Sequence, residues 1–366
     1  MISEAINYLG LDYEQTELLF NIQYDLVFSD ILNEADGSKK NMKLNWLNDW
    51  SHQIRDTLNL MNDKDVFSTK LKQLTLNEVN LTDFNKKYVC TEEIIDKVCK
   101  GCYNNKLPLY LIYMEACLFV PYFKINQDIN NNLLDNVKEK FKKENKLSYK
   151  DEKRINGLLN IYANKMNITN ISTVNFKKLY VKTMARVSNK NIKIVSGVAI
   201  GSIIMVLTAG YAAPTIAAAI APAGIYGAAA TSAGLALLGG GAIAAGGFGM
   251  AGGLAVVVGG GALLGSVAGG SAGYAISLIK TSSQFTLSQA AKLEIVIKEI
   301  LLTNQKDVRM AQELIKEQRA AIAALENEII KMKIEFSSTK EEIKNMEQSV
   351  KYMKKVLEEC IKNLNK

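Results

Sequence analysis

Between Ile194 and Ile279 the chain runs for 86 residues without a single Asp, Glu, Lys, Arg or His. No other feature of the 366 residues limits the fold as strongly. A helix at a water-exposed surface carries charges on its outer face, so a stretch this long without one belongs in hydrocarbon or deep in a core. A helix of about 20 apolar residues crosses the ~30 Å hydrocarbon layer at ~1.5 Å per residue, so the window holds two to four passes. Candidate spans cover 194–212, closed by Pro214, then 223–245 and 248–279.

The glycines agree with a membrane environment. Twenty-one of the 25 lie inside the window. In "GGGALLGSVAGGSAGYA", Gly261, Gly265, Gly269 and Gly273 recur at every fourth position, Gly197 and Gly201 repeat the spacing in the first span, and Gly249 and Gly253 do so in the third. In water each costs a helix about 1 kcal/mol relative to alanine. In lipid, burying leucine between helices gains little, and small residues at this spacing let helix backbones approach closely. The eight glycines are therefore the candidate packing or pore face. No ionisable residue marks a proton or substrate route, which disfavours a pump or carrier.

Directly before the window, "KKLYVKTMARVSNKNIK" carries Lys177, Lys178, Lys182, Arg186, Lys190 and Lys193 and no acidic residue. Such a flank reads as a cytoplasmic topology signal and a contact for anionic lipid. It also suits a polyanion such as single-stranded DNA, with affinity that falls steeply with salt. Lys280 and Lys292 follow the window and favour a cytoplasmic C-terminal region and an even number of passes.

The flanks read as helical throughout, so the expected class is all-α in three parts. Residues 1–190 form a helical cytosolic sensor or regulatory domain, 191–282 the glycine-zipper transmembrane region, and 283–366 a coiled-coil helix. In "CTEEIIDKVCKG", Glu92 and Glu93 suit a helix start and Gly101 a stop. "LYLIYMEACLFV" between Pro108 and Pro121 is too short to span a bilayer and holds Glu115, so it predicts a buried core helix. From Ile322 an apolar row at alternating steps of three and four runs through Leu325, Ile329, Met332, Phe336, Ile343, Met346, Val350, Met353, Leu357, Cys360 and Leu364, broken only at Thr339. That heptad predicts a long coiled coil whose seam joins copies, or a helix packed within the chain.

Chemistry-bearing motifs are few. Gly247, Gly249 and Gly252 spell G-x-G-x-x-G, but neither a strand nor a βαβ unit surrounds them. His52 is the one histidine, which excludes histidine triads and multi-histidine metal sites. Cys99 and Cys102 have zinc-like spacing without a second pair, so no metal and no cofactor is expected. Five cysteines and an acidic N-terminal stretch without an apolar leader point to a reducing compartment. Nothing assembles a nucleophile, a base and an oxyanion site, and the chain reads as not an enzyme.

Helical domain, Gly/Ala-rich hairpins and coiled coil, with "GGGALLGSVAGGSAG" between, resemble the membrane effectors of bacterial anti-phage systems, and the Hailong-type channel effector among them. That resemblance covers mainly residues 194–366. It implies a homo-oligomeric channel in the bacterial inner membrane that depolarises the infected cell. It also implies restraint by an inhibitory nucleic-acid oligomer made by a partner enzyme. The window is similar as well to the hydrophobic hairpin of α-helical pore-forming toxins and to apolipoprotein-L-like proteins. Two other functions fit the same features, a soluble toxin that inserts its hairpin and a non-conducting membrane-anchored scaffold.

Overall fold

The computed structural model describes residues 11, 13–61, 92–122, 147–168, 173–189, 283–335 and 339–365. The window, its glycines, Lys190 and Lys193 lie outside these residues, as does Phe336. Among the described residues the fold is all-α with no strand. No helix among them is long and apolar enough to cross a membrane.

Helix α1 (Tyr13–Leu32) is buried along most of its length and meets α2 (Gly37–Met61), α3 (Glu92–Gly101) and α5 (Glu152–Lys165). Asp36 starts α2 by accepting from the backbone N–H groups of Ser38 at 2.9 Å and Lys39 at 3.1 Å, the work of an N-cap carboxylate. The buried face of α2 brings in Trp46 and Trp50, stacked at 5.6 Å, with Phe119 5.4 Å from Trp50 and Tyr122 5.3 Å from Trp46. Helix α3 buries Ile95 and Val98.

Helix α4 (Leu107–Leu118) is the core helix expected of the run between the prolines. Pro108 sits in its first turn, where a missing N–H costs nothing, and all its other residues are buried, Glu115 included. Helix α5 is capped by Asp151, which accepts from the Arg154 N–H at 3.0 Å. Helix α6 (Thr173–Ser188) is amphipathic, with Phe176, Tyr180, Met184 and Val187 buried at helical spacing.

After the window, α7 (Ser283–Ile295) runs directly into a π-helical segment, π1 (Val296–Gln305). Lys306 ends it in the left-handed region (φ 54°), and Asp307 caps α8 (Val308–Glu335) through the Met310 N–H at 2.9 Å. Thr339 then opens α9 (Lys340–Leu364) with a reciprocal capping box to Glu342.

One expectation is corrected here. The C-terminal region is not one long coiled-coil helix. Lys333–Glu347 (2.7 Å), Glu326–Lys354 (2.6 Å) and Gln318 to the Met353 carbonyl (3.0 Å) place α8 and α9 antiparallel in one hairpin. The chain turns at Thr339, the residue that breaks the heptad, because its hydroxyl caps a new helix instead of filling the seam. Ile322, Leu325, Ile329 and Met332 are buried on α8, as are Met346 and Val350 on α9, with Ile343 half-buried, so the seam is occupied within the chain. An oligomer joined along this row would have to open the hairpin.

One continuous apolar cluster runs from Leu11 through α4 and α6 to Cys360, so the two flanks of the window share a core. Helix α7 packs on α6 and α9, while α4 meets α6 and π1.

Candidate functional site

In sequence the window lies between α6 and α7, and the contact between these two helices is rich in buried polar groups. On α7, Thr286, Ser288, Gln289, Lys292 and Glu294 are all buried. Periodicity cannot reveal such a helix as part of a core, because polar and apolar positions alike face protein.

Lys292 donates to both carboxylate oxygens of Glu115, at 2.9 and 2.7 Å. Both side chains are under one-tenth exposed. Two residues on, Glu294 pairs with Arg186 of α6 and also accepts from the Thr183 hydroxyl at 3.3 Å. Burial pushes the Glu294 carboxyl above its ordinary range, and Arg186 opposes that shift. Burial likewise raises the Cys360 thiol, with Glu294 adding to the effect. Tyr180 donates to Ser288 at 2.8 Å. From α9, Lys355 donates to the Val187 carbonyl and to Asn189 Oδ1, both at 2.8 Å. A cation there satisfies the orphan carbonyls and complements the negative end of the α6 dipole.

The pairs Tyr180–Ser288, Thr183–Glu294 and Arg186–Glu294 advance together along both helices, so α6 and α7 run parallel. The window therefore leaves at one end of the pair and returns at the other. At ~1.5 Å per residue the two ends are roughly 20 Å apart, about two helix diameters.

Arg186 pairs with Glu294 while its side chain stays 36% exposed, and Lys292 is a buried ion-pair partner. Lys177 lies 3.4 Å from Asn156 Oδ1. Lys178 and Lys182 are exposed one turn apart on α6. The sequence signal that could have pointed to this contact, and was not read, is Glu115 itself. A carboxylate inside an apolar core helix requires a cation, and Lys292 supplies it.

A second buried network lies at the far side of α1. Asp30 accepts from Lys43 (2.6 Å), the Tyr122 hydroxyl (2.5 Å) and the Lys150 N–H (2.7 Å). Glu34 lies 3.0 Å from Lys43 and 3.3 Å from Lys150. Burial works to raise the Glu34 carboxyl, but the hydrogen bonds from Lys43, the Asp36 N–H and Lys150 hold it at about 2. Lys43 also lies 5.2 Å from the Tyr122 ring centroid. With its charges balanced, this cluster ties α1, α2 and the strap before α5 together.

Among the described residues no group of three or more His, Cys, Asp or Glu could hold a metal ion. Cys102 is buried, with Gln15 Nε2 3.8 Å from its sulfur. Comparison with known proteins finds no matching family model, curated protein or solved structure.

Proposed function

We propose that this chain permeabilises a membrane: a helical body carries the ion-free segment 194–279, which inserts into the bilayer and, in several copies, forms a conducting path. The observation that carries this reading is the window's place in the fold. A segment of 86 residues without one ionisable side chain lies between α6 and α7, two helices of a single core. The body thus holds the apolar segment at both ends. An even number of passes returns the chain to the face it left, and adjacent antiparallel spans displace it sideways by one or two helix diameters. Both suit ends roughly 20 Å apart on parallel helices.

The resemblance drawn from the sequence extends this to a bacterial inner membrane and an effector of anti-phage abortive infection, restrained by a ligand or partner such as a DNA oligomer. Lys178 and Lys182 are the described residues on the basic flank that such a polyanion would meet. The glycine rows supply close helix packing, and scattered threonine and serine hydroxyls supply a lining that dewetting can gate.

The test is controlled expression in bacteria, with a potential-sensitive dye read alongside fractionation and with purified protein then placed in dye-loaded liposomes. Depolarisation, recovery in the membrane fraction and dye release are expected. Protein confined to the soluble fraction, with intact potential and intact liposomes, would overturn the reading.

A further inference from the structure

With the α8 seam covered by α9, a second row on α8 faces outward. Ala320, Ala323, Asn327, Ile330 and Ile334 follow the same alternating steps of three and four, and all are exposed, Ile330 at 55% and Ile334 at 70%. These two isoleucines lie one turn apart at the turn end of the α8–α9 hairpin. Toward the start of α8 the same face carries Arg309, Lys316 and Arg319 and needs no partner.

We infer that this row is an interface with a second copy of the same chain, with the two α8 helices side by side, parallel and in register. Three features select that occupant. In a heptad frame Ala320, Asn327 and Ile334 occupy one core position and Ala323 and Ile330 the other. Asn327 then faces Asn327 of the second copy, and a lone asparagine at this position fixes register and favours two strands. On the flanks Glu326 of each copy meets Lys331 of the other, five residues on, an attractive pair repeated on both sides of the two-fold axis. Glu326 also holds Lys354 of its own chain at 2.6 Å, so the carboxylate is already set on that edge of the helix. An antiparallel pairing would leave Lys331 opposite Ala324 and separate the asparagines.

The parallel arrangement also points every copy the same way, as a shared membrane face requires, although it stands independently of the membrane reading. Two heptads with two alanines and one asparagine fall short of the ~1,200 Å² of a stable interface. The contact is therefore weak in dilute solution and forms at high local concentration.

The experiment is sedimentation equilibrium of the full chain in mild non-ionic detergent across a hundredfold concentration range. Circular dichroism confirms the fold of each variant. Wild type is expected to move from monomer to dimer with rising concentration. Lys331→Glu and Ile330→Lys should each weaken association at least tenfold, and Glu326→Lys combined with Lys331→Glu should restore most of it. A chain that stays monomeric throughout overturns the inference. So does association that both single variants leave unchanged, since the copies would then meet on another surface.

Discussion

Glu115 and Lys292 stand 177 residues apart in sequence and meet as a doubly bonded ion pair in the core. The pair closes the body across the ion-free window and joins the apolar helix α4 to the polar helix α7. Removing two charges from water costs about as much as their attraction returns, so the pair contributes specificity more than net stability. Its consequence appears when one partner is lost.

Lys292→Met leaves a buried carboxylate without a cation and is expected to destabilise the body by about 3–5 kcal/mol. Glu115→Leu combined with Lys292→Met removes both charges and should recover most of that loss. Chemical denaturation of the two variants in detergent checks this. A single variant as stable as wild type would show that Glu115 finds another donor.

Acid should weaken the Glu34 network. The Glu34 carboxyl titrates near 4.5 when unfolded and is held at about 2 in the body by Lys43, the Asp36 N–H and Lys150. Because its folded value is depressed, its stabilising contribution is fully present above the unfolded value and is lost as pH falls from about 4.5 toward 2. Glu34→Gln is expected to lower stability at pH 7 and to flatten the fall below pH 4.5. Unfolding midpoints measured from pH 7 down to pH 2 would show both effects.

What the sequence disclosed and what it withheld differ in kind. Helix α4 was legible because prolines bound an apolar run too short for a bilayer, although the partner of its one carboxylate was not. The heptad row was legible as an apolar stripe, but periodicity does not say which helix covers a stripe. Thr339 held that information, since a hydroxyl that caps α9 is also the residue that interrupts the seam. Helix α7 was illegible because Thr286, Ser288, Gln289, Lys292 and Glu294 are buried together, and a polar helix in a core has no amphipathic signature. Arg186 read as one of six equivalent basic residues until Glu294 distinguished it.

The hairpin turn can be tested at that same residue. Thr339→Leu removes the N-cap of α9, worth about 1 kcal/mol, and fills the one gap in the apolar row. Both changes favour a continuous helix over the turn. Spin labels at Lys331 and Lys351, exposed positions on the two arms, should report a single short distance in wild type. In the variant a longer population should appear. An unchanged distance would mean that packing of α9 on α7 holds the hairpin without the cap.

The glycine ladder gives the permeabilisation reading its sharpest variant. Gly265→Leu with Gly269→Leu keeps the window free of charge and raises its mean hydropathy, so transfer into lipid is retained or improved. What changes is the distance at which a neighbouring backbone can pack, because each leucine holds the facing helix off the four-residue row. The double variant is therefore expected to fractionate with membranes as wild type does while depolarisation and liposome dye release fall at least tenfold. Gly265→Ala with Gly269→Ala keeps the row small and should retain most of the activity. If the leucine variant permeabilises as fully as wild type, the ladder is not the face on which the conducting path is built.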